Sequence, residues 1–305
     1  MQASSMQQGI VLSVFSSALF AGLYYYATLL HPLNGEQIFG WRMLLTLPCV
    51  TVFLIATCQW HLVRGIARRV RAQPMLAAGL ILSSALVGSQ QWLFLWAPVN
   101  GRALQVSLGY FLMPLSMLII GRLLYGERLT ALQTTAACSA CLGVVHEVLR
   151  VGGFSWEAMA VAIGFPAYFT LRRKLNTNSL GGLWFDMAIT LPIAAWFVSG
   201  NADALQAFSH TPRLYLLVAG LAIMSAAAFM SYSMANMLLS FSLFGLLSYV
   251  EPILMLVVSL LLGERISEGE WFTYAPIWGA LIFLAADGIL HLRAEGDFKA
   301  RPSPL

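Results

Sequence analysis

SLGYFLMPLSMLIIGRLLYGER at residues 107–128 and GLLSYVEPILMLVVSLLLGER at residues 245–265 are two versions of one element. Each is an apolar run with a tyrosine, then a proline, then Gly-Glu-Arg at its end. Each is long enough to cross hydrocarbon, which takes about 20 apolar residues as a helix. The glutamates Glu127 and Glu264 stand 137 residues apart, an interval of five apolar runs. An odd number of spans turns the second copy upside down in the bilayer. Inverted-topology repeats of this kind are a feature of secondary transporters.

Working outward, ten apolar runs emerge, at residues 9–30, 38–58, 75–97, 103–124, 131–149, 156–171, 183–199, 214–234, 239–262 and 269–290. The expected fold is an all-α integral membrane protein of ten transmembrane helices, arranged as two inverted five-helix repeats. Residues 1–150 form the first repeat and residues 151–292 the second. Residues 293–305 form a hydrophilic tail, expected to be disordered. The segments Arg64–Pro74 and Arg172–Gly182 read as basic loops.

Composition agrees. Of 305 residues, 59% are hydrophobic and 10% charged, whereas soluble domains carry about 25% charged residues. The net charge of +4 is spread over loops and helix ends, which speaks for membrane topology and against nucleic-acid binding. With the N-terminus in the cytoplasm, twelve basic residues fall inside, among them Arg64, Arg68, Arg69 and Arg71, and five fall outside. Basic residues mark the cytoplasmic side, so both termini are expected there. The first run lacks a basic leader region and is too long for a signal-peptide core, so it reads as a retained helix. Cys138 and Cys141, one helical turn apart, read as small packing residues.

The chain resembles the drug/metabolite transporter superfamily, its EamA-like branch, and within that the RarD-type permeases. The resemblance is carried by Gly88-Ser-Gln-Gln-Trp-Leu-Phe-Leu-Trp96, Asn100, Ser107-Leu-Gly-Tyr-Phe111 leading to Pro114, Gly126-Glu127-Arg128, Glu36 with Arg42, Leu171-Arg-Arg-Lys174 and the Asp186–Pro192 spacing. It covers nearly the whole chain and is most specific in the first half. It implies a multi-pass permease of a bacterial-type inner membrane and leaves the substrate open.

Ionisable residues inside a bilayer are costly and thereby become candidates for function. Glu251 stands midway along its run and suits proton coupling; the other reading is a neutral carboxyl bonded to a neighbouring helix. Asp186 is a second coupling candidate, or a partner for Arg172 or Arg173. Arg42 offers a planar fork for a carboxylate or phosphate. Gln90, Gln91 and Trp92 form an amide and aromatic wall suited to a pocket, or else interhelical bonds and an interfacial belt. Tyr110 and Tyr249 precede the two prolines and are pocket candidates; Tyr25, in a run of three tyrosines, is another. Pro114 and Pro252 interrupt helices and suit hinges. Glu127 and Glu264, at helix ends, read as caps or gate residues.

The chain has no phosphate-binding GxxxxGK[ST] loop, no HExxH and no GxSxG. Its five histidines are scattered, so no enzyme, metal or cofactor is expected. The expected activity is secondary transport of a small polar or amphipathic metabolite, amino-acid-like or drug-like, driven by protons or by exchange. The alternative is a non-transporting structural or sensory membrane protein. Membrane lipid, the solute, protons and a second copy of the chain are the partners this reading admits. Reporter fusions after Thr57 and after Lys174 should report cytoplasm, and a fusion near Asn201 periplasm. A periplasmic signal from the Arg64–Arg71 segment would overturn both the topology and the inversion.

Overall fold

The computed structural model describes residues 2–99, 103–152, 155–199, 208–209, 211–261, 269 and 271–300. Within them the chain is helical, with no strand: α1 Gln2–Thr28, α2 Gly35–Ala56, α3 Trp60–Ala72, α4 Pro74–Val99, α5 Ala103–Tyr125, α6 Ala131–Val151, α7 Trp156–Lys174, α8 Leu180–Ser199, α9 Arg213–Leu238, α10 Phe241–Leu247, α11 Val250–Leu261 and α12 Trp271–Ala300. Six of these, α1, α2, α4, α6, α8 and α9, are long and apolar enough to cross a membrane. Side chains such as Val52, Leu142 and Leu216 point outward, giving the bundle an apolar exterior for lipid to cover.

Four expectations need correction. The basic segment around Arg64–Pro74 is not a loop but the amphipathic helix α3. It buries Val63 and Ile66 and leaves Arg64, Arg68 and Arg71 exposed. The apolar run at residues 239–262 is not one helix. Ser240 caps α10 by accepting from the Leu243 N–H, and the chain breaks at Ser248 and Tyr249 before α11. Pro252 explains the break: in a continuous helix its ring would meet the carbonyl of Ser248, four residues back, whereas in the first turn of a new helix it does no harm. Pro114, by contrast, lies inside an unbroken α5. Finally, α12 runs on through residues 293–300, part of the stretch expected as a disordered tail. Cys138 and Cys141 are exposed on α6 rather than packed between helices.

The helices pack in pairs. α2 lies along α8, α6 along α12 and α5 against α10; α1 packs on α9 and α11, and α7 on α5 and α4. Glycine permits the tightest approaches. A methyl group added at Gly40 of α2 would stand 2.6 Å from Val198 and 2.8 Å from the Ala194 carbonyl on α8.

The Gly-Glu-Arg at the end of α5 has a clear local role. Gly126 adopts the left-handed conformation with φ of 63°, and the Glu127 N–H bonds back to the Gly121 carbonyl at 3.2 Å. The left-handed glycine ends the helix and turns the chain back along its last turn. It aims the Glu127 carboxylate at the start of α10, where Oε1 accepts from the Phe241 N–H and Oε2 from the Ser242 N–H, both at 2.7 Å. Helix N-termini leave such N–H groups without intrahelical partners. Glu264, the corresponding residue, lies outside the described residues. Glu127→Ala strips two buried donors of their acceptor and should destabilise the protein by roughly 1–3 kcal/mol, with Glu127→Gln less harmful. The unfolding midpoint in detergent checks this; an unchanged midpoint for Glu127→Ala would mean that the cap is not needed.

Candidate functional site

The helices enclose a cavity of about 480 Å³. It begins between the end of α1 and the start of α2, where Thr28 and Asn34 are exposed. It ends deep in the bundle at Tyr168, Arg172 and Asp186, all buried. Its wall is largely aromatic, with Phe20, Tyr24, Phe94, Tyr110, Phe169 and Phe229 among the lining.

Two charged constellations mark its depth. Arg42, in the first half of α2, is 4% exposed. Its Nε donates to Ser225 Oγ on α9 at 3.1 Å and its Nη1 to Gln91 Oε1 on α4 at 3.3 Å. The guanidinium lies over the Phe229 ring, 4.7 Å from the centroid, a cation–π contact strengthened by the loss of water. Its Nη2 is buried and has no hydrogen-bond partner. Glu251 faces the same cavity from the first turn of α11. The partial positive charge of that helix N-terminus lies beside its carboxylate, and Arg42 is a cation that acts on it across the cavity.

The second constellation is closed. Asp186 Oδ1 accepts from Ser83 Oγ at 2.5 Å and from Ser84 Oγ at 3.3 Å. Oδ2 accepts from the Tyr168 hydroxyl at 2.8 Å and pairs with Arg172 Nη1 at 3.3 Å. Tyr168 in turn accepts from Arg172 Nη1 at 2.6 Å. The other nitrogens of Arg172 donate to the carbonyls of Thr177 and Ser179. Next to it, Arg173 lies over Tyr125 and Phe241 and donates to the carbonyls of Asn236 and Leu239. Together with the Glu127 cap, these contacts bolt α5, α7, α9 and α10 together at the end opposite Asn34.

The sequence-derived candidates divide accordingly. Arg42, Gln91, Tyr110, Asp186 and Glu251 come together around the cavity. Gln90 is one position off: it is buried, and its Nε2 donates to the Ala160 carbonyl. Trp92 stacks on Trp96, centroids 5.2 Å apart, and packs in a core cluster. Tyr25 is 45% exposed on the outside of α1, and the cavity tyrosine is its neighbour Tyr24. Tyr249 is fully buried, with its hydroxyl donating to the Phe111 carbonyl at 3.0 Å. It ties the break between α10 and α11 to α5 rather than facing a solute. Tyr168 was missed as a site residue, although its position four residues before Arg172 places the two on one helix face.

Removing one member of a buried ion pair strands the other, at a cost of roughly 3–5 kcal/mol. Arg172→Ala should therefore lower the thermal unfolding midpoint more than the double variant Arg172→Met/Asp186→Leu. A double variant less stable than the single one would show that the two groups do not depend on each other.

The profile of the EamA-like transporter family matches residues 7–146. The chain is 42% identical over 289 residues to the chloramphenicol-sensitive protein RarD of Pseudomonas aeruginosa, covering 94% of this chain and 97% of that protein. It is 38% identical to an uncharacterized transporter of Pasteurella multocida, covering 94% of this chain and 99% of that one. It is 26% identical to protein RarD of Escherichia coli, covering 95% and 97% respectively. A solved crystal structure superposes with a TM-score of 0.63 at 16% identity, over 92% of this chain and 98% of the other; at that identity the likeness is one of fold.

Proposed function

We propose, from the premise that this chain belongs to the EamA-like transporter family of the drug/metabolite transporter superfamily and to its RarD-type group, that it is a secondary transporter working by alternating access. The solute is a small polar or amphipathic metabolite, and the membrane is the bacterial cytoplasmic membrane, with both chain ends on the cytoplasmic side. The moving parts are two inverted five-helix repeats. The helix pairings support this: exchanging the halves carries the contact of α1 with α9 onto that of α7 with α4, and the contact of α2 with α9 onto that of α8 with α4.

The observation that carries the proposal is the cavity itself. It is open at one end of the bundle, closed at the other by an ion pair, and holds a buried guanidinium nitrogen without a partner. A buried, unsatisfied donor is costly, and the carboxylate or other acceptor of a solute satisfies it. The aromatic wall receives the apolar remainder of such a solute. A purely structural protein has no use for a solute-sized space running to its middle, and the relatives named as transporters favour a carrier over a sensor.

Glu251 is the coupling group, in preference to Asp186. Asp186 already accepts three hydrogen bonds and an arginine, whereas Glu251 stands in the cavity within the field of Arg42. Protonation of Glu251 releases Arg42 from that field, and solute binding to Arg42 alters the proton's environment, so the two ligands are linked. The test uses liposomes loaded with a pH-sensitive dye and challenged with a panel of labelled amino acids and amphipathic drugs. The parent should couple uptake of at least one solute to proton movement. Glu251→Gln should lose that coupling and its pH dependence while keeping its fold. A variant with the parent's pH dependence would remove Glu251 from the mechanism.

A further inference from the structure

A second recess, of about 390 Å³, lies at the end of the bundle opposite the cavity mouth. It is lined by Arg173, Asn176 and Asn178 at the turn from α7 to α8, and by Asn236, Met237 and Leu239 where α9 ends. Asn176 and Met237 are exposed, so the recess opens onto that face. Among the described residues, its lining and that of the central cavity share one member, Asn236. Asn236 is 1% exposed. At this point the wall between the two spaces is one side chain thick.

That side chain is held by bonds that can be exchanged. Asn236 Nδ2 donates to Asn178 Oδ1 at 3.0 Å, and Asn236 Oδ1 accepts from Arg173 Nη2 at 3.3 Å. An apolar side chain would fill the same space and seal the wall without needing partners. The polar choice continues inward. Ser233, one turn earlier on α9 and so on the same helix face, also lines the cavity, and its buried Oγ has no hydrogen-bond partner. Ser233, Asn236 and Asn178 thus form a polar seam from cavity to recess. An amide both donates and accepts, so it can trade Asn178 and Arg173 for the polar groups of a passing solute.

We propose that Asn236 is the gate at the closed end, and that the recess beyond it is the second mouth of the cavity. This rests on the alternating-access reading above. When α9 parts from the α7–α8 turn, the Asn236 amide leaves Asn178 and Arg173, and cavity and recess become one passage lined by polar groups.

The test reads access from each side and needs no solute. In the full chain, with Cys49, Cys58, Cys138 and Cys141 replaced by serine, Ser233→Cys reports on the cavity. Sealed vesicles of both orientations are treated with a charged, membrane-impermeant methanethiosulfonate. Lys174→Cys, at an exposed position, identifies in a parallel sample the vesicles that present the closed end. The contacts at that end hold the empty protein closed there, so a weakened gate raises the minor, open fraction in proportion. Asn236→Ala should speed reaction from the Lys174 side by roughly fivefold or more, since each lost hydrogen bond shifts the balance by about that factor. Asn178→Ala should speed it as well, and reaction from the Asn34 side should stay near that of the parent. Asn236→Asp pairs a charge with Arg173 and should slow reaction from the Lys174 side. Unchanged reaction in both alanine variants would overturn the gate. So would acceleration by the aspartate variant together with the alanine ones, which would mark general damage to the wall. The two readings fail separately: a parent that moves no solute in the liposome assay sinks the carrier, whereas unchanged labelling in a parent that does transport sinks the gate alone.

Discussion

A guanidinium or a carboxylate held among hydrocarbon side chains must find a partner, because no water is there to replace one. Around the cavity of this bundle that constraint divides the buried charges into two sets. Arg172 and Asp186 satisfy each other and are further bound by Tyr168, two serines and two carbonyls. Arg42 is only partly satisfied, by Ser225 and Gln91 and by the face of Phe229. The closed set welds one end of the bundle. The incomplete set stands where the cavity is widest in chemistry: one nitrogen without a partner, one carboxylate across from it, and aromatic rings around both.

The same accounting explains the broken helix. An interruption within the bundle frees backbone donors and acceptors, which only protein or a water-filled cavity can satisfy. Here the start of α10 is capped from outside its own segment by Glu127, and the break after α10 is held by Tyr249 through the Phe111 carbonyl. Gly126, Glu127, Tyr249 and Pro252 therefore act as one device. Pro252 forces the break, Tyr249 anchors it, and the glycine turn delivers the carboxylate that caps the other end. The outcome is that Glu251 stands in the first turn of a fresh helix and faces the cavity, rather than lying along the side of a continuous one.

Much of the helical layout was legible because it rests on composition and length, properties the bilayer reads directly. The site was legible in part. Arg42, Asp186 and Glu251 stood out as charges within apolar runs, and all three line the cavity. The errors are errors of facing. Gln90 against Gln91 and Tyr25 against Tyr24 are neighbours separated by about 100° around a helix, and an almost uniformly apolar helix carries no amphipathic signal to say which side is inward. Tyr249 was misjudged for another reason: a proline within an apolar run marks a break without saying whether nearby side chains fill a core or line a space. The basic segment at Arg64–Arg71 was taken for a loop on its charge, although Trp60, Val63, Ile66 and Val70 recur there at helical spacing.

The correspondence between the halves also bears on the balance between conformers. A two-state carrier needs closures of similar strength at its two ends, since a ligand shifts an equilibrium only by its differential affinity for the two states. Residues 24–48 and 168–192 match at an offset of 144, Tyr24 on Tyr168 and Arg42 on Asp186, and the two arginines of the closed end, Arg172 and Arg173, fall on Thr28 and Leu29. The mirrored closure therefore lacks the ion pair and the guanidinium stacked on Tyr125 and Phe241. It has Arg42 in place of Asp186, and the charge that faces Arg42 is Glu251 of the cavity. On the alternating-access reading, these contacts favour the conformer open at the Asn34 end when the cavity is empty. On that reading a proton on Glu251 or a solute on Arg42 supplies the difference, which ties the asymmetry of the closures to the charged groups of the cavity.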